Sequence, residues 1–303
     1  MTDTRPDLRS MPLADALRWL REHGEPADPR PDVDTESLRR RFPRLARVRM
    51  TDLKIQTPTG SQPVRLYRDD TATHTGRALV WVHGGAFIGG HLDMPESNWV
   101  ALELAARGIP VLTADYTKCL GDVHFPVPSD DVLAAWRYAR EHASELFGSE
   151  PDALLFGGAS AGGTLTAGAT ARLRDAGEPL PAGLVLVYPV LHPGGALPEW
   201  VPGADDPHAQ LSLNYVGSPE ALTDPYAFPG LGSGHGYPPT LIVVCEQDDR
   251  RPSGEAFADL LTRGRVDVSL RVEAGAGHGH LNEPADPTAM PTIEAIAEWA
   301  GTR

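Results

Sequence analysis

Residues 153–163 read Ala153-Leu154-Leu155-Phe156-Gly157-Gly158-Ala159-Ser160-Ala161-Gly162-Gly163. The first four form a short apolar run, of the kind that makes a fully buried strand in a parallel sheet. Two glycines follow, then one serine among small residues, then a helix-compatible segment from Ala161 onward. Gly158-Ala159-Ser160-Ala161-Gly162 satisfies G-x-S-x-G, the sharp strand-to-helix turn that lifts a serine hydroxyl clear of a sheet. The small neighbours have a steric cause. A serine held in strained backbone leaves no room for side chains two residues away, where strand and helix converge. The serine also falls at a helix N-terminus, where unpaired N–H groups and the dipole favour developing negative charge.

This pattern requires a strand before it, a helix after it and chemical partners elsewhere. Working outward, strands are predicted at 51–57 and 64–67, joined by a hairpin turn at 58–61. Further strands are predicted at 78–82, 110–114, 184–188, 241–245 and 266–272. Helical patterns run through Trp99, Leu102, Leu104 and Ala105 to a stop at Gly108, from a cap at Ser129 to about Phe147, and from the turn through Leu173. Others cover 253–262 and a terminal segment with Ile293, Ile296 and Trp299. Strands alternating with helices in this way mean an α/β sheet, mostly parallel with an antiparallel start.

Two regions stand apart. Residues 1–50 are Arg-, Asp- and Pro-rich, with one amphipathic piece marked by Leu13, Leu17, Trp19 and Leu20 and another by Val33, Leu38, Phe42 and Leu45. Too short for a domain, they suit a small helical cap. Residues 189–239 lack steady periodicity, and about 190–225 read as a cap or loop insertion that helps cover the site. The expected layout is a 1–50 cap segment and one domain over 51–303.

Composition narrows the partners. Lys+Arg 27 against Asp+Glu 41 gives a net charge of −14, which argues against nucleic acid and against an anionic membrane surface. No run approaches 18 apolar residues, so no transmembrane helix is expected. Met1-Thr2-Asp3-Thr4-Arg5 lacks the basic start and apolar core of a secretion signal, leaving the cytoplasm as the expected location. Cys119 and Cys245 make no disulfide framework.

Acyl transfer needs a nucleophile, a base, an orienting acid and oxyanion donors. Ser160 is the candidate nucleophile. His278, between Gly277 and Gly279 after the last predicted strand, is the candidate base. Asp248 follows the 241–245 strand and would hold the imidazole in one tautomer, while Asp249 better suits a helix-capping turn. Both leave carboxyl ends of strands, the rim to which the serine belongs. Oxyanion donors are expected from the N–H of Ala161 and from the loop His83-Gly84-Gly85-Ala86. The chain order Ser, Asp, His is that of α/β-hydrolases. A metal reading of His278 and His280 with Asp248 and Asp249 lacks a further ligand. Epoxide hydrolases and dehalogenases need an aspartate where Ser160 stands.

The chain resembles the hormone-sensitive-lipase family of α/β-hydrolases, in its bacterial carboxylesterase branch, from about residue 53 onward. The resemblance rests on V-H-G-G-A-F at 82–87, A-D-Y at 114–116, F-P-V-P-S-D-D at 125–131 and G-A-S-A-G-G at 158–163. D-P-Y-A at 224–227, P-P-T-L-I at 238–242, E-Q-D at 246–248 with Arg251, and G-H-G at 277–279 complete it. It implies an α/β-hydrolase fold, a Ser160/His278/Asp248 triad and an oxyanion hole from Gly84, Gly85 and Ala161. It implies a cap from the N-terminal segment and the insertion, no cofactor and no metal. Its substrates would be small-molecule esters with short-to-medium acyl chains.

Four positions depart from the family pattern. Ala86 replaces a third loop glycine, Ala159 an aspartate before the nucleophile, and Thr117-Lys118-Cys119-Leu120-Gly121-Asp122 the usual R-L-A-P-E. His280 replaces a phenylalanine. These departures keep open a specialised lactonase, acyltransferase or dehydratase on the same fold, and more remotely a non-catalytic ligand-binding homologue. Candidate substrate-wall residues are Phe87, Ile88, Tyr188, Leu191, Trp200, Tyr215 and His280. The final strand and terminal helix are elements through which a homodimer would form.

Overall fold

The computed structural model describes residues 11, 13–23, 32–195 and 206–303. Its strands are β1 (Arg49–Thr57), β2 (Gly60–Arg68), β3 (Ala78–Val82), β4 (Val111–Ala114), β5 (Leu154–Ala159), β6 (Gly183–Val187), β7 (Thr240–Cys245) and β8 (Val268–Glu273). Its helices are α1 (Leu13–His23), α2 (Thr35–Arg41), α3 (Pro95–Ala105), α4 (Val127–Glu141), α5 (Ala143–Phe147), α6 (Ala161–Asp175), α7 (Pro207–Val216), α8 (Arg251–Arg263) and α9 (Ala289–Gly301).

All eight strands join one sheet in the order β1-β2-β4-β3-β5-β6-β7-β8. The β1–β2 and β2–β4 pairings are antiparallel, and the others are parallel. β2 is longer than its predicted 64–67 core. Residues 60–62 pair with β1 alone, whereas the pairing with β4 covers Val64 to Tyr67, beyond which the Asp115 N–H still donates to the Pro63 carbonyl at 3.2 Å. Pro63 has no N–H with which to continue that second ladder.

Strands β3, β5, β6 and β7 are buried along their whole length, which is why they read as continuous apolar runs. Alternate side chains feed two cores. Val80, Val82 and Phe156 meet α4, α6 and α8 on one face, and Leu79, Trp81 and Leu155 meet α3 and α9 on the other. The N-terminal helices divide between these faces. Leu17 and Leu20 of α1 join the first core, where α1 touches α7, while Leu38 of α2 joins the second beside α3.

The predicted 129–147 helix starts earlier and breaks. Pro126 precedes α4, with Pro128 in its first turn, and His142 separates it from α5. Proline presets the helical φ at such a start. Ser129 therefore lies inside the helix, and its Oγ accepts a hydrogen bond from Arg172 Nη1 at 2.9 Å instead of capping it. Within the aperiodic 189–239 region the chain forms α7, capped by Asp206, whose side chain accepts from the His208 and Ala209 N–H groups.

β3 has β4 on one side and β5 on the other. The strand order therefore reverses there, and a crevice opens above the carboxyl ends of β3 and β5.

Candidate active site

Ser160 stands alone at the corner between β5 and α6, with φ 50° and ψ −120°. Its N–H donates to the Val187 carbonyl at 2.9 Å, tying the corner to β6. The flanking glycines are required by contact. A Cβ on Gly162 would lie 2.1 Å from the Val82 oxygen, and one on Gly158 would lie 2.6 Å from the Gly162 backbone. Strain gathers here. Among the described residues, Ala86, Phe87, Ser160 and Tyr188 are four of the five non-glycine residues with positive φ, the fifth being Arg265.

Ser160 Oγ lies 2.8 Å from His278 Nε2, and His278 Nδ1 lies 2.7 Å from Asp248 Oδ2. A carboxylate only accepts, so Nδ1 carries the proton and Nε2 accepts from the serine hydroxyl. Asp248 is 7% exposed. Its other oxygen, Oδ1, accepts from the Arg250 backbone N–H at 2.9 Å and from Arg250 Nη1 at 3.2 Å. Burial works to raise this carboxyl, but the hydrogen bond from His278, with the backbone hydrogen bond and charge of Arg250, outweighs it and holds Asp248 below the usual carboxylate range.

The loop after β3 departs from expectation at Gly84. That N–H, expected to face the oxyanion, donates instead to Glu96 Oε1 at 2.5 Å. The Gly84 carbonyl is held too, accepting from Tyr116 Oη at 3.2 Å and from His83 Nδ1 at 2.6 Å. In a trans peptide the N–H opposes the carbonyl, so pinning the Gly84 oxygen aims the Gly85 N–H the other way. The Gly85 oxygen accepts from Ile88 and Gly89, which fixes the Ala86 N–H likewise. The Ser160 oxygen accepts from Thr164 and fixes that of Ala161. Among the described residues none of these three N–H groups has a hydrogen-bond acceptor.

Glu96, in the first turn of α3, is 1% exposed. Its Oε2 accepts from Tyr188 Oη at 2.6 Å and from Asn282 Nδ2 at 3.1 Å. One carboxylate thus joins the β3 loop, the end of β6 and the segment after His278. The sequence reading missed Glu96 and Asn282, since an acid in a first helical turn is an ordinary helix-dipole feature.

The atypical 117–122 segment also supports the loop. Lys118 Nζ donates to Asp115 Oδ1 and, at 2.8 Å, to the Tyr116 carbonyl, and it lies over the Tyr116 ring. Asp115 Oδ1 is 3.0 Å from His83 Nε2. The Cys119 N–H donates to the Phe87 carbonyl at 2.8 Å, and the Cys119 oxygen accepts from Asn214 of α7.

Of the expected wall residues, Phe87 and Ile88 keep 5% and 9% of their surface, whereas Tyr188, Leu191, Tyr215 and His280 are buried at 3% or less. These four side chains are packed against the protein interior. Tyr188 reaches Glu96, Tyr215 stacks on Phe87 with ring centroids 3.8 Å apart, and His280 sits between Cys245 and Thr292. Trp200 lies outside the described residues.

The family model for the α/β-hydrolase fold matches residues 79–282. An ethyl acetate hydrolase from Pseudomonas putida is 31% identical over 278 residues, 82% of this chain and 82% of its own. A carboxylesterase from Mycobacterium tuberculosis is 31% identical over 230 residues, 73% of this chain and 71% of its own. The solved structure of the hyperthermophilic esterase from the archaeon Pyrobaculum calidifontis superposes with a TM-score of 0.75 at 27% identity. That match covers 96% of this chain and 97% of that one.

Proposed function

The chain belongs to the hormone-sensitive-lipase family of α/β-hydrolases and is a carboxylic ester hydrolase, and on that premise we propose that Ser160, His278 and Asp248 are its catalytic triad. The continuous hydrogen-bonded line from Ser160 Oγ through His278 to Asp248 carries this reading.

Ser160 Oγ attacks the ester carbonyl while His278 Nε2 takes its proton. Asp248 keeps the ring in the accepting tautomer and stabilises the imidazolium. The tetrahedral oxygen is held by the N–H groups of Gly85, Ala86 and Ala161, with Gly84 acting one step back through Glu96. Collapse returns the proton to the leaving alcohol and leaves an acyl-enzyme, which water hydrolyses by the same sequence. Removing one such N–H donor should cost about 3–4 kcal/mol of transition-state stabilisation.

The cover we assign comprises α1 and the 190–225 insertion. The contact between α1 and α7 supports it, and α2 belongs to the opposite face of the sheet. Short-to-medium acyl esters are the proposed substrates. For assembly we propose pairing through β8, where Leu270 and Val272 are 44% and 41% exposed. A monomer mass by gel filtration would end that part.

A p-nitrophenyl ester series from acetate to decanoate, run beside Ser160→Ala, tests the assignment. Turnover that vanishes in the variant is the expected result. A folded wild type that neither turns over nor reacts with a fluorophosphonate would overturn it. Labelling without turnover would keep the triad and move the substrate to a specialised lactone, transfer or elimination reaction.

A further inference from the structure

Asp248 divides its carboxylate between two partners. Oδ2 takes the His278 N–H, and Oδ1 takes the backbone N–H and the Nη1 of Arg250. The same guanidinium continues outward. Its Nη2 lies 2.7 Å from Nε2 and 3.1 Å from Nδ1 of His208, and its Nη1 lies 2.9 Å from Asp249 Oδ1. The arginine side chain is 19% exposed, and its stem packs against Gly195, where a Cβ would stand 2.8 Å from Arg250 Cγ.

His208 belongs to the first turn of α7. Seven residues on, and about 10 Å along the axis, the Tyr215 ring of the same helix stacks on Phe87. Phe87 directly follows Ala86. The helix is therefore fastened at its start to the candidate acid and near its end to the loop after β3.

We propose that Arg250 is a positioning residue that holds Asp248 and, through His208, straps α7 across the acyl-transfer site. This rests on the triad reading above. A planar fork suits the task, since it bonds a carboxylate and an imidazole at once, which a lysine's single ammonium cannot reproduce.

Two consequences separate. The guanidinium places a positive charge against Asp248, the carboxylate that accepts the His278 N–H. It also tethers α7 through the His208 ring, a contact that a neutral imidazole allows and an imidazolium does not. Burial and the Arg250 charge push the His208 pKa down, against the opposing pull of Asp249 and Asp206, with a further downward push from His278. A protonated His208 would face Arg250 as a second cation and loosen the strap.

The test compares Arg250→Leu, Arg250→Lys and His208→Ala in the full chain, with p-nitrophenyl butyrate. In Arg250→Leu the backbone N–H still holds Asp248 while the charge is gone. The acid limb of the kcat/KM profile should then move up by roughly 0.5–1 pH unit, and KM should rise roughly 3–10-fold. Arg250→Lys and His208→Ala should raise KM similarly and leave the limb in place. An Arg250→Leu profile and KM matching the wild type would overturn the proposal, as would an equal limb shift in Arg250→Lys. Hydrogen exchange supplies a readout independent of chemistry: the α7 amides should exchange faster in Arg250→Leu and His208→Ala than in the wild type, and equal exchange would overturn the strap. Failure of a fluorophosphonate to label wild-type Ser160 would instead sink the triad reading, with the exchange comparison still deciding the strap.

Discussion

The backbone N–H of Gly84 donates to Glu96 Oε1, twelve residues along the chain, across the mouth of the β3 loop. With its carbonyl held by Tyr116 and His83, Gly84 is locked on both sides. The N–H groups of the next two residues have no hydrogen-bond acceptor among the described residues. Glu96 can do this because a carboxylate accepts all three of its donors, from Gly84, Tyr188 and Asn282.

Glu96→Gln should therefore misalign the loop while preserving volume. The amide oxygen cannot accept all three donors, and the amide nitrogen brings hydrogens of its own. A fall in kcat of about 10–100-fold with KM within about threefold is expected, a part of what losing a whole oxyanion donor costs. Steady-state kinetics with a short ester, beside a melting curve showing the variant folded, would check this. An unchanged kcat would remove Glu96 from the site.

Ala86 carries φ 53°, a region where alanine is strained by about 1 kcal/mol relative to glycine. Ala86→Gly should raise stability by up to that amount with kcat within a few-fold of wild type, because its N–H is unchanged. Urea midpoints and initial rates measure both. A large loss of rate would mean the methyl group itself shapes the loop.

Two glycines near the proposed triad, Gly162 and Gly277, should respond differently. A Cβ on Gly162 meets the Val82 carbonyl at 2.1 Å, whereas one on Gly277 meets nothing within 4 Å. Gly162→Ala should cost at least about 3 kcal/mol, and Gly277→Ala less than about 0.5 kcal/mol. Equal melting temperatures for the two would contradict the elbow packing.

Asp248 is held below its ordinary pKa, so the stability it contributes is fully present above about pH 4, the unfolded value. It is lost as pH falls through the lower folded value. Asp248→Asn should be less stable than wild type at pH 7, and the gap should narrow on acidification toward pH 3. Its kcat should fall by about 10³–10⁴, since an amide no longer fixes the His278 tautomer. Denaturation at both pH values and single-ester kinetics test the two halves.

Lys118 and Asp115 form an ion pair with side chains only 14% and 19% exposed. Lys118→Met leaves Asp115 buried with His83 as its remaining side-chain partner and should destabilise by about 3 kcal/mol. A melting temperature matching wild type would show that the atypical segment needs no charge at this position.

Much of the architecture was legible in the order of residues. The apolar runs of β3, β5, β6 and β7 announce burial on both faces, because a strand covered by helices has no polar side to show. Gly158 and Gly162 around Ser160 encode a collision that any side chain would suffer, and the ends of β7 and β8 had to bring Asp248 and His278 to one rim. These signals are local or periodic. The long helix expected from Ser129 failed for a local reason too, the prolines at 126 and 128 moving its start.

What the sequence alone determined was thus the sheet, the elbow and the residues now found within hydrogen-bonding distance of one another. The tertiary structure decided which β3-loop N–H groups lack an acceptor among the described residues, that Tyr188, Tyr215 and His280 are buried, and that Arg250 meets a histidine on α7. Each of these depends on a partner far along the chain, such as Glu96 for Gly84, Phe87 for Tyr215 and His208 for Arg250. A contact between distant residues leaves no period in the sequence, and the direction of a peptide plane is set only when both of its ends find their partners.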